Sequence, residues 1–304
     1  MKIRPRCSIC LLQRGWKEIQ LATDDRILQF EVLKAIIELF AKEFQAGAVS
    51  AILGTKRDRI IRKMTKCPDP YKRHKVKSNT IALQLTDSIE AYLRAEKDSY
   101  RRFRRAMLVA IVGNILEFDI LEHTVDLDNP TFLNQLIKEA EQDLAIDHIP
   151  QIYQLIQKSK EVLFLTDNAG EIILDKYLIL ELLNLGINVI VAVKKYPVLN
   201  DATMEDAEVA GLIELSQINS HLQIITTGND HVGLLLEEIS DEFRPYFEDA
   251  QFIIAKGMGY YETLTEKSFQ IPIVHLFRTK CSSVAEDVGV KLGQNVALLR
   301  LPET

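Results

Sequence analysis

The first half of the chain carries apolar residues at every third or fourth position, which is the spacing of one buried face of an α-helix. One such segment is preceded by Thr23-Asp24-Asp25, whose side-chain oxygens can accept hydrogen bonds from the free N–H groups of a first turn. Its apolar positions are Ile27, Leu28, Phe30, Val32, Leu33, Ile36, Ile37 and Phe40. Similar spacing predicts helices over 79–93 and 100–111, with proline-containing connections at 67–71 and 126–130. No alternating stretch precedes residue 160, so we predict that residues 1–150 form a helical domain.

The pattern changes after residue 150, where short apolar runs alternate with helical segments. One helix is predicted from Glu171 to a stop near Gly186, and the last helix near Ser283–Val288. The runs predict strands at Val162–Thr166, Asn188–Val193, Gln223–Thr227, Gln251–Ala255 and Ile271–Phe277. Buried strands that alternate with helices are typical of a parallel sheet covered on both faces. We therefore predict an α/β domain over 151–304, with the domain boundary near 145–160.

Composition and charge restrict the class of protein. The chain has 304 residues, 47% of them hydrophobic and 26% charged, which is typical of a globular protein. Basic residues outnumber acidic ones in residues 1–150 and acidic residues dominate 151–304, which disfavours a nucleic-acid-binding surface on the second half. There is no uninterrupted apolar run of about 20 residues and no signal-peptide core, so we expect a cytoplasmic protein that does not enter a membrane. Four cysteines do not make a disulfide framework.

Polar side chains follow each predicted strand. In a parallel sheet, ligands bind beyond the carboxyl ends of the strands. The residues at those ends are Asp167-Asn168-Ala169-Gly170-Glu171, Asn200-Asp201, Gly228-Asn229-Asp230, Lys256-Gly257-Met258-Gly259 and Arg278-Thr279-Lys280-Cys281. Asp and Asn oxygens suit Mg²⁺ or Mn²⁺, whereas lysines and helix N-termini suit phosphate. The set therefore favours metal-dependent phosphoryl chemistry, and its alternative role is to cap helices and shape turns.

Several common signatures of other enzyme classes are missing from the sequence. There is no GxxxxGK[ST] phosphate loop, no GxGxxG after the first strand and no GxSxG nucleophile elbow. Their absence disfavours nucleotide kinases, dehydrogenases and serine hydrolases.

Five sequence blocks, in this order, resemble the damage-control metal-dependent phosphatases, once catalogued as domain of unknown function 89. The blocks are TDNAGEIILDKYLILELL, NDATMEDAEVAGL, TTGNDHVG, AKGMGYYETL and RTKCSSVAEDVG. The segments CSIC, CPDPYKRHKVKSN and VGNILEFDI look like the microbial, largely archaeal branch. The resemblance covers nearly the whole chain.

The resemblance implies a helical N-terminal domain and a Rossmann-like, three-layer α/β/α C-terminal domain with a mainly parallel sheet. It implies hydrolysis of small phosphorylated metabolites, such as sugar phosphates or damaged metabolites, with Mn²⁺, Co²⁺, Ni²⁺ or Mg²⁺. The implied metal ligands are Asp167, Asn168 and Asp201. The implied substrate contacts are Met258, Gly259, Tyr260, Tyr261, Glu262 and Lys280. Tyr260 departs from the family pattern, which has Asn at that position.

We expect different roles for these residues in the reaction. Asp167, Asp201 and Lys280 are the expected catalytic residues, with the lysine stabilising charge on the phosphate. Asp230, Glu171 and Glu262 are candidate proton carriers or supporting groups. The nucleophile is either water or a carboxylate, and the absence of a DxDxT pattern favours water.

Other features have more than one interpretation. Cys7 and Cys10 form a CxxC that, with Cys67 and Cys281, predicts a zinc site, a redox pair or buried thiols. Asn114 and Glu117 interrupt an apolar helix and either face the cleft or hydrogen-bond in the core. Basic clusters at 56–59, 72–77 and 101–105 are interpreted as solvated helix faces, as a nucleic-acid surface, or, for Lys72 or Lys75, as contacts to an anionic substrate.

Two other functions stay open at this level. A carboxyl methyltransferase using S-adenosylmethionine would need a cofactor loop, and the glycine-rich loop expected after the first strand is missing. A non-enzymatic RNA-binding or interaction protein would use the basic helical half.

Overall fold

The computed structural model describes residues 1–115 and 132–302. The helices of this part are α1 (Cys7–Ala22), α2 (Arg26–Glu43), α3 (Ser50–Thr65), α4 (Lys72–Gln84), α5 (Thr86–Arg94), α6 (Ser99–Ile115), α7 (Phe132–Gln142), α8 (Ile149–Ile156), α9 (Glu171–Asn184), α10 (Met204–Val209), α11 (Leu212–Ile218), α12 (Arg244–Glu248), α13 (Gly257–Leu264) and α14 (Ser282–Val288). Its strands are β1 (Leu144–Asp147), β2 (Glu161–Leu165), β3 (Asn188–Val193), β4 (Leu222–Thr226), β5 (Ile253–Lys256), β6 (Ile273–Arg278) and β7 (Asn295–Arg300).

The helical pattern of the first part is confirmed, with differences in where helices begin and end. The Asp25 side chain accepts hydrogen bonds from the N–H groups of Ile27 and Leu28, so it caps α2 as the sequence indicates. The pattern predicted as one helix over 79–93 forms two helices that meet at Leu85. The connection predicted at 126–130 and Glu117 lie outside the described residues.

Within the described residues, seven strands form one sheet in the order β1-β7-β6-β5-β2-β3-β4. Strands β2 to β6 are parallel to one another, while β7 is antiparallel to β6 and parallel to β1. From β2 the chain builds outward through β3 and β4, then returns to the other side of β2 with β5. The order therefore reverses between β2 and β5, which is where open α/β sheets form a ligand crevice.

The prediction that no strand precedes residue 160 is wrong, because β1 lies at Leu144–Asp147. It is a four-residue edge strand whose positions alternate between half-buried and exposed. Because it follows a helix almost directly, its apolar residues also fit the spacing of that helix. Strand β7 was also not predicted. The other five strands agree with the predicted runs within one or two residues.

Alternate residues of the strands enter two different hydrophobic clusters. Val162 and Phe164 of β2 pack with helices α5, α6, α8 and α9 on one face. Leu163 and Leu165 pack with α12 and α13 on the other face. The sheet is thus covered on both sides, which confirms the three-layer α/β/α arrangement. The domain boundary near 145–160 stays a prediction.

Helices α1 to α3 pack together through small clusters of their own. Helix α3 also contacts the carboxyl edge of the sheet. The Thr55 hydroxyl accepts a hydrogen bond from the Val232 N–H at 2.9 Å, and the buried Asp58 carboxylate accepts one from the Leu199 N–H at 3.2 Å. These bonds fix α3 beside the loops that follow β3 and β4. None of the described helices has the length and apolar character needed to cross a membrane.

Candidate active site

The loops after β2 and β3 are joined through their backbones. The Ala202 N–H donates to the Asp167 carbonyl at 2.7 Å, and the Ala169 N–H donates to the Asn200 carbonyl at 2.9 Å. Asn168 and Asp201 face each other in a short antiparallel bridge between these bonds. The fold therefore brings together the residues predicted to bind metal.

A cleft opens at this edge of the sheet. Its lining contains Asp167, Asn168 and Asp201 together with Lys280. Of the other predicted substrate contacts, Met258, Gly259 and Glu262 also belong to the lining. The opposite wall comes from α1 and α3 and includes Cys7, Cys10, Leu11, Arg14, Ser50, Ala51, Gly54 and Arg57. The cleft thus lies between the sheet and the N-terminal helices.

The half-buried Asp167 carboxylate is oriented by neighbouring amides. Its Oδ2 accepts hydrogen bonds from Asn114 Nδ2 at 3.0 Å and Asn168 Nδ2 at 2.8 Å. Gly257 makes room for it: its φ is +79°, and a Cβ built there would lie 2.0 Å from Asp167 Oδ2. Only glycine combines this left-handed backbone with such a close approach, so the start of α13 is shaped around the carboxylate.

Asp201 is a buried carboxylate beside a buried lysine. Burial raises its pKa to about 6, although the positive charge of Lys194 opposes the shift. The two charged groups lie 3.7 Å apart. Lys194 Nζ donates instead to the Gly233 carbonyl at 2.5 Å and to the Tyr260 hydroxyl at 3.1 Å, and burial lowers the pKa of Lys194. Tyr260 thus supports Lys194 from behind the cleft lining rather than forming part of it.

Lys256 is buried beneath the cleft with all its donors occupied. Its Nζ donates to the Ala110 carbonyl at 2.9 Å and to Glu171 and Asp175, each at 2.6 Å. Burial would raise the pKa of Glu171, but the adjacent Lys256 outweighs it and the pKa is lowered. Burial raises the pKa of Asp175 to about 7 against the pull of the same lysine. Because Lys256 is saturated, it is not placed to bind a substrate phosphate.

The three candidate proton carriers have different surroundings. Asp230 lies outside the cleft lining and accepts hydrogen bonds from Arg59 and Arg62, which hold its pKa below the usual range although burial opposes them. Glu171 is engaged by Lys256. Glu262 lines the cleft, accepts a hydrogen bond from Ser50, and has a pKa raised by burial. Of the three, only Glu262 combines a place in the lining with a pKa raised by burial.

Tyr261 and Lys280 occupy different positions. The buried Tyr261 ring packs against His275 and Phe277, and its hydroxyl donates to Asp287 at 2.9 Å. It is not among the residues of the cleft lining, so its position does not support a substrate contact. Lys280 lines the cleft and is close enough for its charge to lower the pKa of Glu171.

Three of the four cysteines line the cleft, namely Cys7, Cys10 and Cys281. All four are free thiols, and Cys67 lies elsewhere. Among residues 1–115 and 132–302, no three His, Cys, Asp or Glu side chains are arranged to hold a metal ion. The structure therefore does not support a zinc site. The predicted set of Asp167, Asn168 and Asp201 is of a different kind, because one of its three ligands is an amide.

The basic clusters are largely used within the molecule. Arg57 is buried against Glu18 at 3.2 Å. Lys75 is paired with Asp69 at 3.1 Å, and Arg104 with Asp147 at 2.7 Å. Lys72, the other residue considered as a substrate contact, pairs with Glu205 on α10. These pairs reduce the positive charge that the clusters offer to a nucleic acid.

Sequence reasoning missed two residues that shape the site. Lys194 follows β3, so its place at a strand end was a usable signal. Asn79 on α4 gave no such signal: its Nδ2 donates to Asp206 at 2.8 Å and its Oδ1 accepts from the Gly170 N–H at 2.6 Å. Asn114, considered for the cleft or the core, serves in both, because it is buried and also belongs to the lining.

Comparison with known proteins identifies the family. The model of the damage-control phosphatase ARMT1-like domain matches residues 3–296. The chain belongs to this family. It is 37% identical to an uncharacterised protein of Methanocaldococcus jannaschii over 99% of this chain and 96% of that protein. It is 32% identical to a damage-control phosphatase of Archaeoglobus fulgidus over 98% and 99% of the two chains.

A solved structure has the same fold as this member of the damage-control phosphatase family. The crystal structure of a DUF89 family protein from Pyrococcus horikoshii is similar with a TM-score of 0.86 and 30% identity. The similarity covers 98% of this chain and 99% of that one. Membership in the family supports phosphatase activity, and the cleft is the candidate site for it.

Proposed function

We propose that the chain is a divalent-metal-dependent phosphatase that hydrolyses phosphate monoesters of small metabolites, including sugar phosphates and damaged metabolites. The observation that carries the proposal is the shared cleft lining of Asp167, Asn168, Asp201 and Lys280. A carboxylate-rich cation site beside a lysine suits a phosphate bound to a metal. Family membership supports the phosphatase activity.

The donor atoms fit a hard divalent cation such as Mn²⁺, Co²⁺, Ni²⁺ or Mg²⁺. Asp167 and Asp201 offer carboxylate oxygens. Asn168 Nδ2 donates to Asp167 and Glu171, both at 2.8 Å, so its Oδ1 is the end of the amide that remains for a cation. Asp201 is buried with Lys194 3.7 Å away, and a cation would compensate this poorly paired charge. A bound cation supplies Lewis-acid chemistry, neutralising phosphate charge and making a nearby water more acidic.

The other residues bind the phosphate and move a proton. Lys280 and backbone N–H groups in the first turn of α13 bind phosphate oxygens and stabilise the charge that develops on them. Glu262 is the candidate general acid for the departing oxygen, because it lies in the cleft lining and burial raises its pKa. Helices α1 and α3 form the opposite wall and limit the access of bulk water.

The test is a panel of phosphorylated metabolites assayed with each of the four metals after chelation and dialysis. We expect hydrolysis that requires metal and is lost in Asp167→Ala. Asp249→Ala is the matched control, because Asp249 is exposed and precedes β5, at the opposite edge of the sheet. A calorimetric titration with S-adenosylmethionine tests the methyltransferase alternative, and we expect no binding. Metal-independent hydrolysis, or hydrolysis unaffected by Asp167→Ala, would refute the proposal.

A further inference from the structure

Helix α6 brings an amide side chain to the cleft lining. Asn114 lies near the end of α6, is 2% exposed and belongs to the cleft lining. The preceding residue, Gly113, allows α6 to approach α9 closely, since a Cβ there would lie 3.1 Å from Glu171 Cγ. The helix backbone is therefore positioned so that Asn114 reaches between two loops of the sheet edge.

Each end of the Asn114 amide has a defined partner. Its Nδ2 donates to Asp167 Oδ2 and to Glu171 Oε2, both at 3.0 Å. Its Oδ1 accepts from the backbone N–H of Arg278 at 3.0 Å. A backbone N–H can only donate and ionised carboxylates can only accept, so the orientation of the amide is set by its partners. Asp would lack the two donors, and an alkyl side chain would lack all three bonds.

The partners belong to the two halves of the proposed chemistry. Asp167 is the first residue of the proposed metal set. Arg278 ends β6, two residues before Lys280, the proposed phosphate contact. A shift of Asn114 would therefore move a metal ligand and the start of the phosphate-binding loop together.

We propose that Asn114 is a positioning residue that couples the metal half of the site to the phosphate half. This inference rests on the proposed function. The amide holds the Asp167 carboxylate in place through one end and the backbone leading to Lys280 through the other. Residues that orient metal ligands by hydrogen bonds contribute strongly to metal affinity.

The test compares two binding constants in single variants. Mn²⁺ is titrated calorimetrically into metal-free protein, and orthophosphate is measured as an inhibitor of aryl phosphate hydrolysis at saturating Mn²⁺. For Asn114→Ala we expect Mn²⁺ affinity to fall by roughly tenfold or more, and orthophosphate affinity by about fivefold. Asp201→Asn should weaken chiefly Mn²⁺ binding, and Lys280→Ala chiefly orthophosphate binding.

Asn295→Ala is the matched control for the loss of a buried amide. Asn295 is fully buried on β7, and its Nδ2 donates to the Ala140 carbonyl at 2.9 Å. Its Oδ1 accepts from the Arg278 guanidinium at 3.4 Å, so the variant loses a side-chain contact to Arg278 but keeps the backbone bond from Arg278 to Asn114. We expect a loss of thermal stability comparable with that of Asn114→Ala and unchanged affinities. If Asn114→Ala does not fold, Asn114→Ser, whose hydroxyl can still donate, is measured instead, with both affinities expected to fall.

The outcomes separate this inference from the proposed function. Parental protein that binds neither Mn²⁺ nor orthophosphate contradicts the proposed function itself. Parental binding, with both affinities of the Asn114 variant within twofold of the parent, makes Asn114 a structural residue and overturns the inference. A loss of Mn²⁺ affinity alone also overturns it, because Asn114 would then serve Asp167 without coupling the two halves.

Discussion

Lys280 lies in the loop between β6 and α14, and its charge lowers the pKa of the nearby Glu171. We predict that Lys280→Ala binds Mn²⁺ like the parent but loses roughly 10²-fold in kcat/KM, about 3 kcal/mol of transition-state stabilisation. The loss is large because the charge of Lys280 acts on phosphate in a partly desolvated cleft. Lys291→Ala is the control, because Lys291 is an exposed lysine in the turn after α14. Unchanged kcat/KM in Lys280→Ala would remove this lysine from the site.

Asp201 follows β3 in a loop and is 5% exposed. Asp201→Asn keeps the size of the side chain but removes the charge. We predict that the variant folds, and that Mn²⁺ no longer raises its thermal midpoint as it does for the parent. A ligand present at 100 times its Kd stabilises a protein by about 2.7 kcal/mol, so the parent should shift by several degrees. Thermal melts with and without Mn²⁺ measure this. An equal shift in both proteins would mean that Asp201 is not a metal ligand.

The junction of β5 and α13 offers a test at the level of an element. Gly257 and Gly289 have similar left-handed conformations, with φ values of +79° and +81°. A Cβ at Gly257 would meet the Asp167 carboxylate, whereas a Cβ at Gly289 meets nothing within 4 Å. We predict that alanine costs about 1 kcal/mol of folding free energy at Gly289, from backbone strain alone, and more at Gly257, where its Cβ also clashes with the carboxylate.

Only Gly257→Ala should also weaken Mn²⁺ binding, by about tenfold or more, because the carboxylate must move. Denaturant unfolding and calorimetric Mn²⁺ titration of both variants check these expectations. Equal Mn²⁺ affinities would show that Asp167 keeps its function when displaced.

The elements also show how far the sequence could predict the structure. Strands β2, β3, β5 and β6 were recognisable as apolar runs buried on both faces, and the partly exposed strand β4 was recognisable as a run containing two isoleucines. Strand β1 was not, since its four residues have the half-exposed pattern of an edge and adjoin a helix. Asp167 and Asp201 were recognisable from their positions after strands. Asn114 was recognisable as a polar residue in an apolar helix, but its partner Asp167, 53 residues away, was not. Asn79 gave no local signal, because its partner Gly170 lies 91 residues away.

The folding stability of the whole molecule should respond to a buried histidine. His275 on β6 is fully buried, its two ring nitrogens have no hydrogen-bond partner, and burial lowers its pKa to about 3. The unfolded chain, with an ordinary His pKa near 6.5, binds more protons between these two values. The contribution of His275 to stability is therefore present above pH 6.5 and is lost as the pH falls toward 3.

Between pH 7 and pH 5, we predict that the parent loses about 2 kcal/mol of unfolding free energy that His275→Phe does not lose. The variant should therefore become more stable relative to the parent by that amount. Urea unfolding at both pH values measures the gain. His221→Phe, which replaces an exposed histidine, should show little change. A His275→Phe protein that loses stability in parallel with the parent would contradict the neutral, buried state of the ring.

The account as a whole depends on a divalent cation acting in the cleft lined by Asp167, Asn168 and Asp201. The most direct measurement is the hydrolysis of an aryl phosphate by protein treated with EDTA and dialysed, followed by addition of Mn²⁺, Co²⁺, Ni²⁺ or Mg²⁺. The account predicts no hydrolysis after chelation and recovery with at least one of these metals, because the Asp and Asn oxygens bind such ions reversibly. Equal activity before and after chelation and dialysis would contradict it.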